Sequence, residues 1–199
     1  MLRWATVNNS FFAMLGRMKY IDRWALMRNF RKENISEHSL EVAVIAHALC
    51  LIGNKRLGKT LDADRAAVIA LFHDAPEIIT GDMPTPVKYY DSEIRSSYQR
   101  IEDEAVRRLL DRLPEDLRDE YARCLMPDAE REGELIALVK AADKLSALIK
   151  CLEEESAGNR EFAEAEKTTM ARIEAMGIPE ADIFLKDFIP AYKRTLDEL

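Results

Sequence analysis

Apolar residues at three- and four-residue spacing run through most of this 199-residue sequence. This spacing is typical of α-helices that bury one face. The seven glycines and seven prolines cluster between the apolar segments, where they mark helix ends. The pattern predicts helices at about 9–19, 37–53, 62–74, 91–112, 115–125, 131–156, 160–176 and 180–198. No segment shows convincing alternation of β-branched residues, so the predicted fold class is all-α.

Local signals predict how some of these segments end. Ser36 is expected to cap the helix that carries His38, because a serine oxygen can accept from the free N–H groups of the first turn. Gly177, with Pro179 two residues later, is expected to end the helix before it. Residues 81–86 read Gly-Asp-Met-Pro-Thr-Pro, which predicts a stiff loop because proline fixes φ.

Length and composition fit one domain that spans residues 1–199. The 48% hydrophobic and 33% charged residues are typical of a soluble globular protein. Charges interrupt the apolar residues, so we expect no run of roughly 20 residues that would span a bilayer. The apolar patch Phe11–Leu15 is too short for a signal-peptide core. We therefore expect a cytoplasmic protein without membrane contact.

Net charge and cysteines narrow the range of partners. A net charge of -7 argues against binding a nucleic-acid polymer, since such binders need a basic face. A small anionic substrate stays compatible, because a few local cations can act inside an acidic protein. Cys50, Cys124 and Cys151 are odd in number and form no CxxC pair, so we expect buried free thiols.

The candidate chemistry starts at His73-Asp74, which follows an apolar run over residues 66–72 and precedes Ala75-Pro76. Proline disfavours helix at the residue before it, so the pair is expected at the C-terminal end of a buried helix. Neighbouring helical side chains point about 100° apart, and a helix end makes it easier for both to face one ion. Alone, a His-Asp dipeptide is weak evidence for a metal site.

Two further residues strengthen the metal hypothesis. His38 lies near the start of the preceding helix, whereas His47 is nine positions on and falls on the opposite face at about 100° per residue. We therefore favour His38 as a ligand and His47 as a structural or surface residue. Asp143 borders the buried stripe of a later helix, where a carboxylate is costly unless Lys144 or a metal pairs with it. Two histidines with two aspartates would suit Mn, Co, Fe or Zn.

At these residues the sequence resembles the HD-domain phosphohydrolases, whose pattern is H…HD…D on a helical core. More narrowly, it resembles bacterial 5'-deoxynucleotidases from about Phe11 to the C-terminus. The matching segments are Ile21–Trp24, Ser36–Leu40, His73–Glu77, Thr80–Lys88 and Lys140–Asp143. The resemblance implies a single-domain HD-type helical bundle with a buried metal site, acting as a homodimer. It also implies hydrolysis of deoxyribonucleoside 5'-monophosphates to deoxynucleoside and phosphate.

The resemblance assigns roles to the site residues. His38, His73, Asp74 and Asp143 would hold one divalent metal ion. The ion would be cobalt, manganese or a similar metal, and magnesium, zinc and iron are also compatible. Glu77 would orient or deprotonate the attacking water, and Asp82 would help catalysis or hold substrate. In the acidic run at residues 126–132 this sequence departs from the relatives, whose corresponding segment is implied to reach the neighbouring subunit's pocket.

Arg23 and Trp24 are the candidate substrate-binding residues. Arg23 offers a planar fork of donors that suits phosphate oxygens. The resemblance implies that Trp24 packs on the sugar and leaves no space for a ribose 2'-hydroxyl. Spacing alone gives equal weight to Trp24 as a core anchor with Leu26 and Met27. Lys88 is a weaker candidate cation and is left outside the site.

Two other functions stay open at this point. An HD metal site can serve a dNTP, a cyclic nucleotide or an alarmone, although larger substrates would need more basic residues around the pocket. The chain can also be a regulatory module that binds metal without turnover. Glu77 and Asp82 favour catalysis, because a pure binding site has little need for a water-orienting carboxylate.

Overall fold

The computed structural model describes residues 9–88 and 90–198. Their α-helices are α1 Phe11–Leu15, α2 Ile35–Arg56, α3 Ala63–Phe72, α4 Glu77–Thr80, α5 Thr85–Lys88, α6 Ser92–Leu110, α7 Glu115–Leu125, α8 Gly133–Ser156, α9 Ala163–Met176 and α10 Pro179–Asp187. Short 3-10 turns lie at Met18–Tyr20, Arg160–Phe162, Ile189–Lys193 and Leu196–Glu198. Within these ranges, β pairing is limited to an isolated bridge between Asp22 and Asn34. The predicted all-α class is confirmed.

The main core forms where α2, α3 and α8 pack together, with α9 and α10 closing it from outside. Leu49 of α2 and Leu145 and Leu148 of α8 are fully buried, and each such side chain contributes about 1.5–3 kcal/mol of transfer free energy. A second cluster joins α1 and α6 to the turn after α3, through Phe11, Leu109 and Ala75. Ala75 follows Asp74 directly, so this second cluster fixes the position of the His-Asp pair.

The N-terminal cap of α2 differs from the prediction. Asn34 is the cap, and its Oδ1 accepts from the backbone N–H groups of Ser36 and Glu37 at 3.0 Å each. The prediction that Ser36 caps this helix is therefore wrong. The helix begins two residues earlier because Asn34 satisfies the free N–H groups of Ser36 and Glu37, and Ile35 is buried as its first residue.

The C-terminal region contains one confirmed and one corrected helix end. Gly177 has φ 60°, the left-handed conformation that ends α9 as predicted. The predicted last helix at 180–198 is too long, because α10 ends at Asp187. Pro190 has no N–H and disfavours helix at Ile189, so the chain continues in 3-10 turns.

The loop predicted at residues 81–86 is shorter in the structure. Gly81 to Pro84 have no regular secondary structure, and α5 begins at Thr85, which corrects the later part of that prediction. Gly81, at φ 72°, ends the short helix α4, which the sequence pattern did not predict. The loop thus connects two short helices on either side of Asp82.

The expectation that no run is long and apolar enough to span a bilayer is wrong for the long helix α2. Its most apolar 18-residue window has a mean hydropathy of 1.5, which by length and composition would suffice to cross a bilayer. More than half of that window, 56%, is buried inside the protein, as in the core helix of a soluble protein. The packing of α2 against α3 and α8 accounts for its apolar character.

The three cysteines are free thiols, as expected. Cys50 and Cys151 are buried, and burial raises the thiol pKa to about 11 for Cys50 and about 12 for Cys151. Cys124 is partly exposed, so the expectation of burial is confirmed for two of the three.

Candidate metal centre and substrate pocket

Three core helices bring the predicted metal ligands together. His38 lies in the first turn of α2, His73-Asp74 directly follows α3, and Asp143 lies in the middle of α8. His38 Nε2 is 3.1 Å from Asp143 Oδ1 and 3.5 Å from Asp74 Oδ2. His73 Nε2 is 3.2 Å from the same Asp74 oxygen. Residues more than 100 positions apart in sequence thus meet because α2, α3 and α8 share one core.

The donor atoms of this cluster fit a divalent cation. One ligand atom each from His38, His73 and Asp74 lies within 4.8 Å of the others. His73 Nδ1 is 2.7 Å from the Ala70 carbonyl oxygen and donates to it, which leaves the Nε2 lone pair directed at the cluster. This buried Nε2 has no hydrogen-bond partner among the described residues. A buried nitrogen in this state is what a metal-binding histidine offers.

The charges of the cluster are strongly coupled. Burial would lower the pKa of His73, but the Asp74 carboxylate outweighs it and raises that pKa to about 9. Burial would raise the pKa of Asp74, yet His73 lowers it to about 2. The pKa of Asp143 also falls well below its ordinary value, because its bond to His38 and the charge of Lys144 outweigh burial. The site therefore keeps both aspartates ionised, and cationic charge beside them is favoured.

His38 also contacts groups that sequence reasoning did not identify. Its Nδ1 lies 3.0 Å from Ser146 Oγ and 2.9 Å from Arg23 Nη1. Ser146 in turn donates to Glu41 Oε2 at 2.5 Å. The sequence did hold a signal, because Glu41 lies three residues after His38 and Ser146 lies three residues after Asp143, each on the ligand's own helix face.

Glu77 and Asp82 lie beside the ligands on the far side of the His-Asp turn. Glu77 starts α4 and is only 7% exposed, and its Oε2 has no hydrogen-bond partner among the described residues. Burial and the charges of Asp74 and Asp82 raise the pKa of Glu77 to about 9. Burial also raises the pKa of Asp82, while Arg23 and the Trp24 backbone N–H oppose that shift. At both carboxyl groups the charge of Asp74 thus adds to the effect of burial, and Arg23 opposes it.

Arg23 and Trp24 approach the candidate ligands from the segment before α2. The Arg23 side chain is 12% exposed, and its Nη2 lies 3.9 Å from Asp143 Oδ1. Burial would lower the pKa of Arg23, but Glu33 and the aspartates of the site raise it. The guanidinium therefore stays charged next to the candidate ligands.

The backbone at Trp24 is in an unusual conformation. Its φ is 58°, the left-handed region, which for a bulky side chain costs about 1–3 kcal/mol and occurs most often at functional sites. The indole lies 5.3 Å from the Phe162 ring, between centroids, and its Nε1 donates to Glu33 Oε2 at 3.1 Å. Leu26 is 79% exposed, so the alternative of a core anchor with Leu26 and Met27 is not what the structure shows.

The residues set aside by the sequence analysis lie elsewhere. His47 is partly exposed, and its Nε2 is 3.6 Å from Asp64 Oδ1, away from the cluster. Lys88 Nζ is bound to Glu102 Oε1 at 2.8 Å. In the acidic run, Glu132 forms a bidentate ion pair with Arg65 of α3, at 2.6 and 3.0 Å. Glu132 is thus engaged within its own chain.

Comparison with known proteins points to one family. The profile of the YfbR-like 5'-deoxynucleotidases matches residues 10–192. A 5'-deoxynucleotidase from Vibrio cholerae is 50% identical over 189 residues, which is 95% of this chain and 97% of the relative. An HD-domain phosphohydrolase structure from Listeria innocua shares 25% identity, with a TM-score of 0.77 over 92% of this chain and 88% of its own.

A cyanophage S-2L HD phosphohydrolase, solved with dA and one catalytic Zn²⁺ ion, gives a TM-score of 0.66 at 20% identity. It covers 92% of this chain and 96% of its own. At that identity the likeness shows the fold alone, which is the same helical bundle.

Proposed function

Because this chain belongs to the YfbR-like 5'-deoxynucleotidase family, we propose that it hydrolyses deoxyribonucleoside 5'-monophosphates to deoxynucleoside and phosphate with a divalent metal ion. The observation that carries the proposal is the buried cluster of His38, His73 and Asp74, in which His73 Nε2 has no hydrogen-bond partner among the described residues. Arg23 and the unpartnered Glu77 carboxyl lie close to these candidate ligands, as a site for a phosphate ester would require.

One metal ion per subunit would be held by His38, His73, Asp74 and Asp143. The set of two imidazoles and two carboxylates suits cobalt, manganese, iron or zinc, and magnesium is the hardest of the compatible ions. When bound, the ion supplies Lewis acidity that activates water and neutralises phosphoryl charge. Ser146 Oγ, 3.0 Å from His38 Nδ1, would support the site by holding the imidazole with Nε2 toward the other ligands.

Glu77 is the candidate general base. Its carboxyl lies on the turn after Asp74 with one unpartnered oxygen, where it can take a proton from the attacking water. A pKa raised to about 9 means that the carboxyl is a strong acceptor once a cation compensates for its negative neighbours. Asp82, with its own raised pKa, would hold the substrate sugar or assist the departure of the 5'-oxygen.

Arg23 and Trp24 would bind the substrate. The guanidinium fork suits two phosphate oxygens, and burial strengthens such a contact. The Trp24 indole would lie against the deoxyribose, where a 2'-hydroxyl would need the space that the ring occupies. A monophosphate is favoured over larger nucleotides because two further cations of this region are already paired, Lys88 with Glu102 and Lys144 with Asp143.

We also expect a cytoplasmic homodimer that binds neither a nucleic-acid polymer nor a membrane. A dimer would explain an exposed apolar stripe on α2, formed by Leu40, Val44 and Leu51 at helical spacing. Val44→Lys should convert the dimer to monomers in analytical ultracentrifugation, since a charge on the stripe cannot be buried. A wild-type protein that sediments as a monomer at all concentrations would exclude the dimer.

The function is tested by phosphate release from dAMP, AMP, 3'-dAMP and dATP. The protein is first stripped with a chelator and then supplied with Mn, Co, Mg or Zn, alongside His73→Ala. Metal-dependent release that favours dAMP supports the proposal and ranks the metals. Release from dATP alone would identify a triphosphohydrolase instead, and no release from any substrate would indicate a regulatory metal-binding module.

A further inference from the structure

We propose that Glu33 is a positioning residue that sets the preference of the site for deoxyribonucleotides over ribonucleotides. It does so by holding the Trp24 indole and the Arg23 guanidinium on one carboxylate. The inference rests on the proposed function, in which Trp24 contacts the sugar and Arg23 the phosphate. Glu33 itself reaches neither substrate nor metal in this arrangement. It would act through the two residues that do.

A single oxygen of Glu33 accepts from both side chains. Arg23 Nη1 donates to Glu33 Oε2 at 2.7 Å, and Trp24 Nε1 donates to the same atom at 3.1 Å. The Glu33 side chain is only 12% exposed, so water competes little for these bonds. Two adjacent residues with different tasks are thereby fixed relative to each other by one atom.

The backbone brings Glu33 to this position. Arg23 N donates to the Glu33 carbonyl oxygen at 2.8 Å, and Ile35 N donates to the Ile21 carbonyl oxygen at 3.0 Å. These bonds align residues 21–24 with residues 33–35 in an antiparallel manner. Glu33 therefore lies directly across from the Arg23-Trp24 pair, and its side chain needs no long reach.

The loop between the two segments is anchored by side chains of α8. Glu154 of α8 accepts from the backbone N–H groups of Phe30 and Arg31 at 2.8 and 3.1 Å. Lys150 donates to the Arg31 carbonyl oxygen. Because both side chains are buried on α8, the segment that carries Glu33 is tied to the same helix that carries Asp143.

Trp24 needs such a restraint more than most residues. Its left-handed backbone is strained for a bulky side chain and is kept only where the surroundings determine it. Phe162 packs against the ring at an interplanar angle of 55°, but a ring contact does not fix the rotation of the indole in its plane. The directional bond from Nε1 to Glu33 does fix it. Without that bond the indole can move, and the space for a 2'-hydroxyl opens.

Kinetics on the metal-loaded enzyme test this with Glu33→Gln and Glu33→Ala. The ratio of kcat/KM for dAMP to that for AMP should fall about tenfold in Glu33→Ala, since a hydrogen bond to a charged group is lost. KM should rise for both nucleotides, because Arg23 loses its restraint, while the metal content stays at the wild-type level. Glu33→Gln keeps the size of the side chain, guards against misfolding and should give a smaller change in the same direction.

Glu37→Gln is the matched control, because this exposed glutamate lies four residues after Glu33 and, among the described residues, pairs with Arg31 at 3.6 Å. It should leave the ratio unchanged. An unchanged ratio in Glu33→Ala as well would overturn the proposal. So would an equal fall in the ratio for Glu37→Gln, because the effect would then be one of general charge.

Fluorescence separates this inference from the proposed function. The sequence has two tryptophans, so in a Trp4→Phe background the emission reports Trp24 alone. Glu33→Ala should shift that emission to the red and increase quenching by acrylamide. Unchanged emission would overturn the proposal whatever the kinetics show. A wild-type protein that hydrolyses no nucleotide would refute the proposed function, and the emission would still decide whether Glu33 holds Trp24.

Discussion

Two groups of buried charges lie on α8, and they differ in how completely they are paired. The first is the metal cluster around Asp143, and the second is the pair formed by Lys150 and Glu154. Glu154 accepts from Lys150, from two backbone N–H groups and from Asn159 Nδ2 at 2.7 Å. In the metal cluster His73 Nε2 lacks a hydrogen-bond partner, as does Glu77 Oε2 nearby. A buried charge whose hydrogen bonds are all formed has a structural role, whereas the unpartnered His73 Nε2 and Glu77 Oε2 are available to a ligand.

Two buried glutamates show the difference most clearly. Glu154 is 2% exposed and Glu77 is 7% exposed, so burial penalises both ionised forms. Hydrogen bonds from Lys150 and the backbone nevertheless lower the pKa of Glu154 to about 2, while burial and negative neighbours raise that of Glu77 to about 9. The contacts around a carboxylate decide its charge, and burial alone does not.

The largest expected effect comes from removing His73, whose Nε2 is the unpartnered candidate ligand atom. His73→Ala should reduce dAMP hydrolysis by about a thousandfold or more, because the metal site loses a ligand. Metal content, measured by mass spectrometry after dialysis, should fall in parallel. The free energy of unfolding in chelator should fall only modestly, because the metal-free protein loses the 3.2 Å contact between His73 Nε2 and Asp74 Oδ2.

His47→Ala is the matched control, as this histidine is partly exposed and lies on the opposite face of α2. It should retain both metal and activity. A His73→Ala protein that keeps full metal content would show that the open nitrogen is not a ligand, and the contrast between the two groups would lose its meaning.

Glu77→Gln should preserve the metal and abolish most of the turnover. Loss of a general base costs about 10²- to 10⁴-fold in kcat, whereas an amide of the same shape fits the pocket without charge. Single-turnover phosphate release, compared with metal content, separates the two properties. Turnover at the wild-type rate would assign the unpartnered carboxyl another role.

Glu154→Ala should lower stability and leave metal binding in place. The substitution leaves the Lys150 charge buried without its carboxylate, which costs about 3–5 kcal/mol of unfolding free energy. Urea denaturation measures this cost, and metal content should stay at the wild-type level. Glu164→Ala on α9, an exposed glutamate 4.0 Å from Lys167, should change stability by less than about 0.5 kcal/mol. Equal effects in both variants would contradict the structural role of the buried pair.

Much of the fold followed from the sequence, because α2, α3 and α8 have strong apolar periodicity and the chain is punctuated by glycine and proline. The ends were harder to predict. Asn34 rather than Ser36 caps α2, since two residues with similar capping propensity compete and only the packing of Ile35 decides. The break at Pro190 was visible as a residue type, but the apolar pattern continues beyond it and favoured one long helix.

The site was predictable where the residue types themselves indicate the chemistry, as histidine and aspartate do for metal binding. The ordered pattern of His38, His73-Asp74 and Asp143, with the family resemblance, brought together residues that the structure places within contact distance. The supporting groups were not predictable in the same way. Glu33, Glu154 and Lys150 are ordinary charged residues in sequence, and their roles follow from long-range contacts that no periodicity encodes.

A last prediction uses pH to separate the two groups. Because the pKa of Glu154 is lowered to about 2 from an ordinary value of 4.5, its ionised form stabilises the fold. That contribution is fully present above about pH 4.5 and is lost as the pH falls toward 2. Glu154→Gln, which cannot ionise, should therefore be less stable than wild type by about 2 kcal/mol at pH 7. The gap should narrow below pH 4.5 in urea denaturation series of the metal-free proteins. A gap that is constant with pH would mean that the packing of Glu154, and not its charge, holds the loop in place.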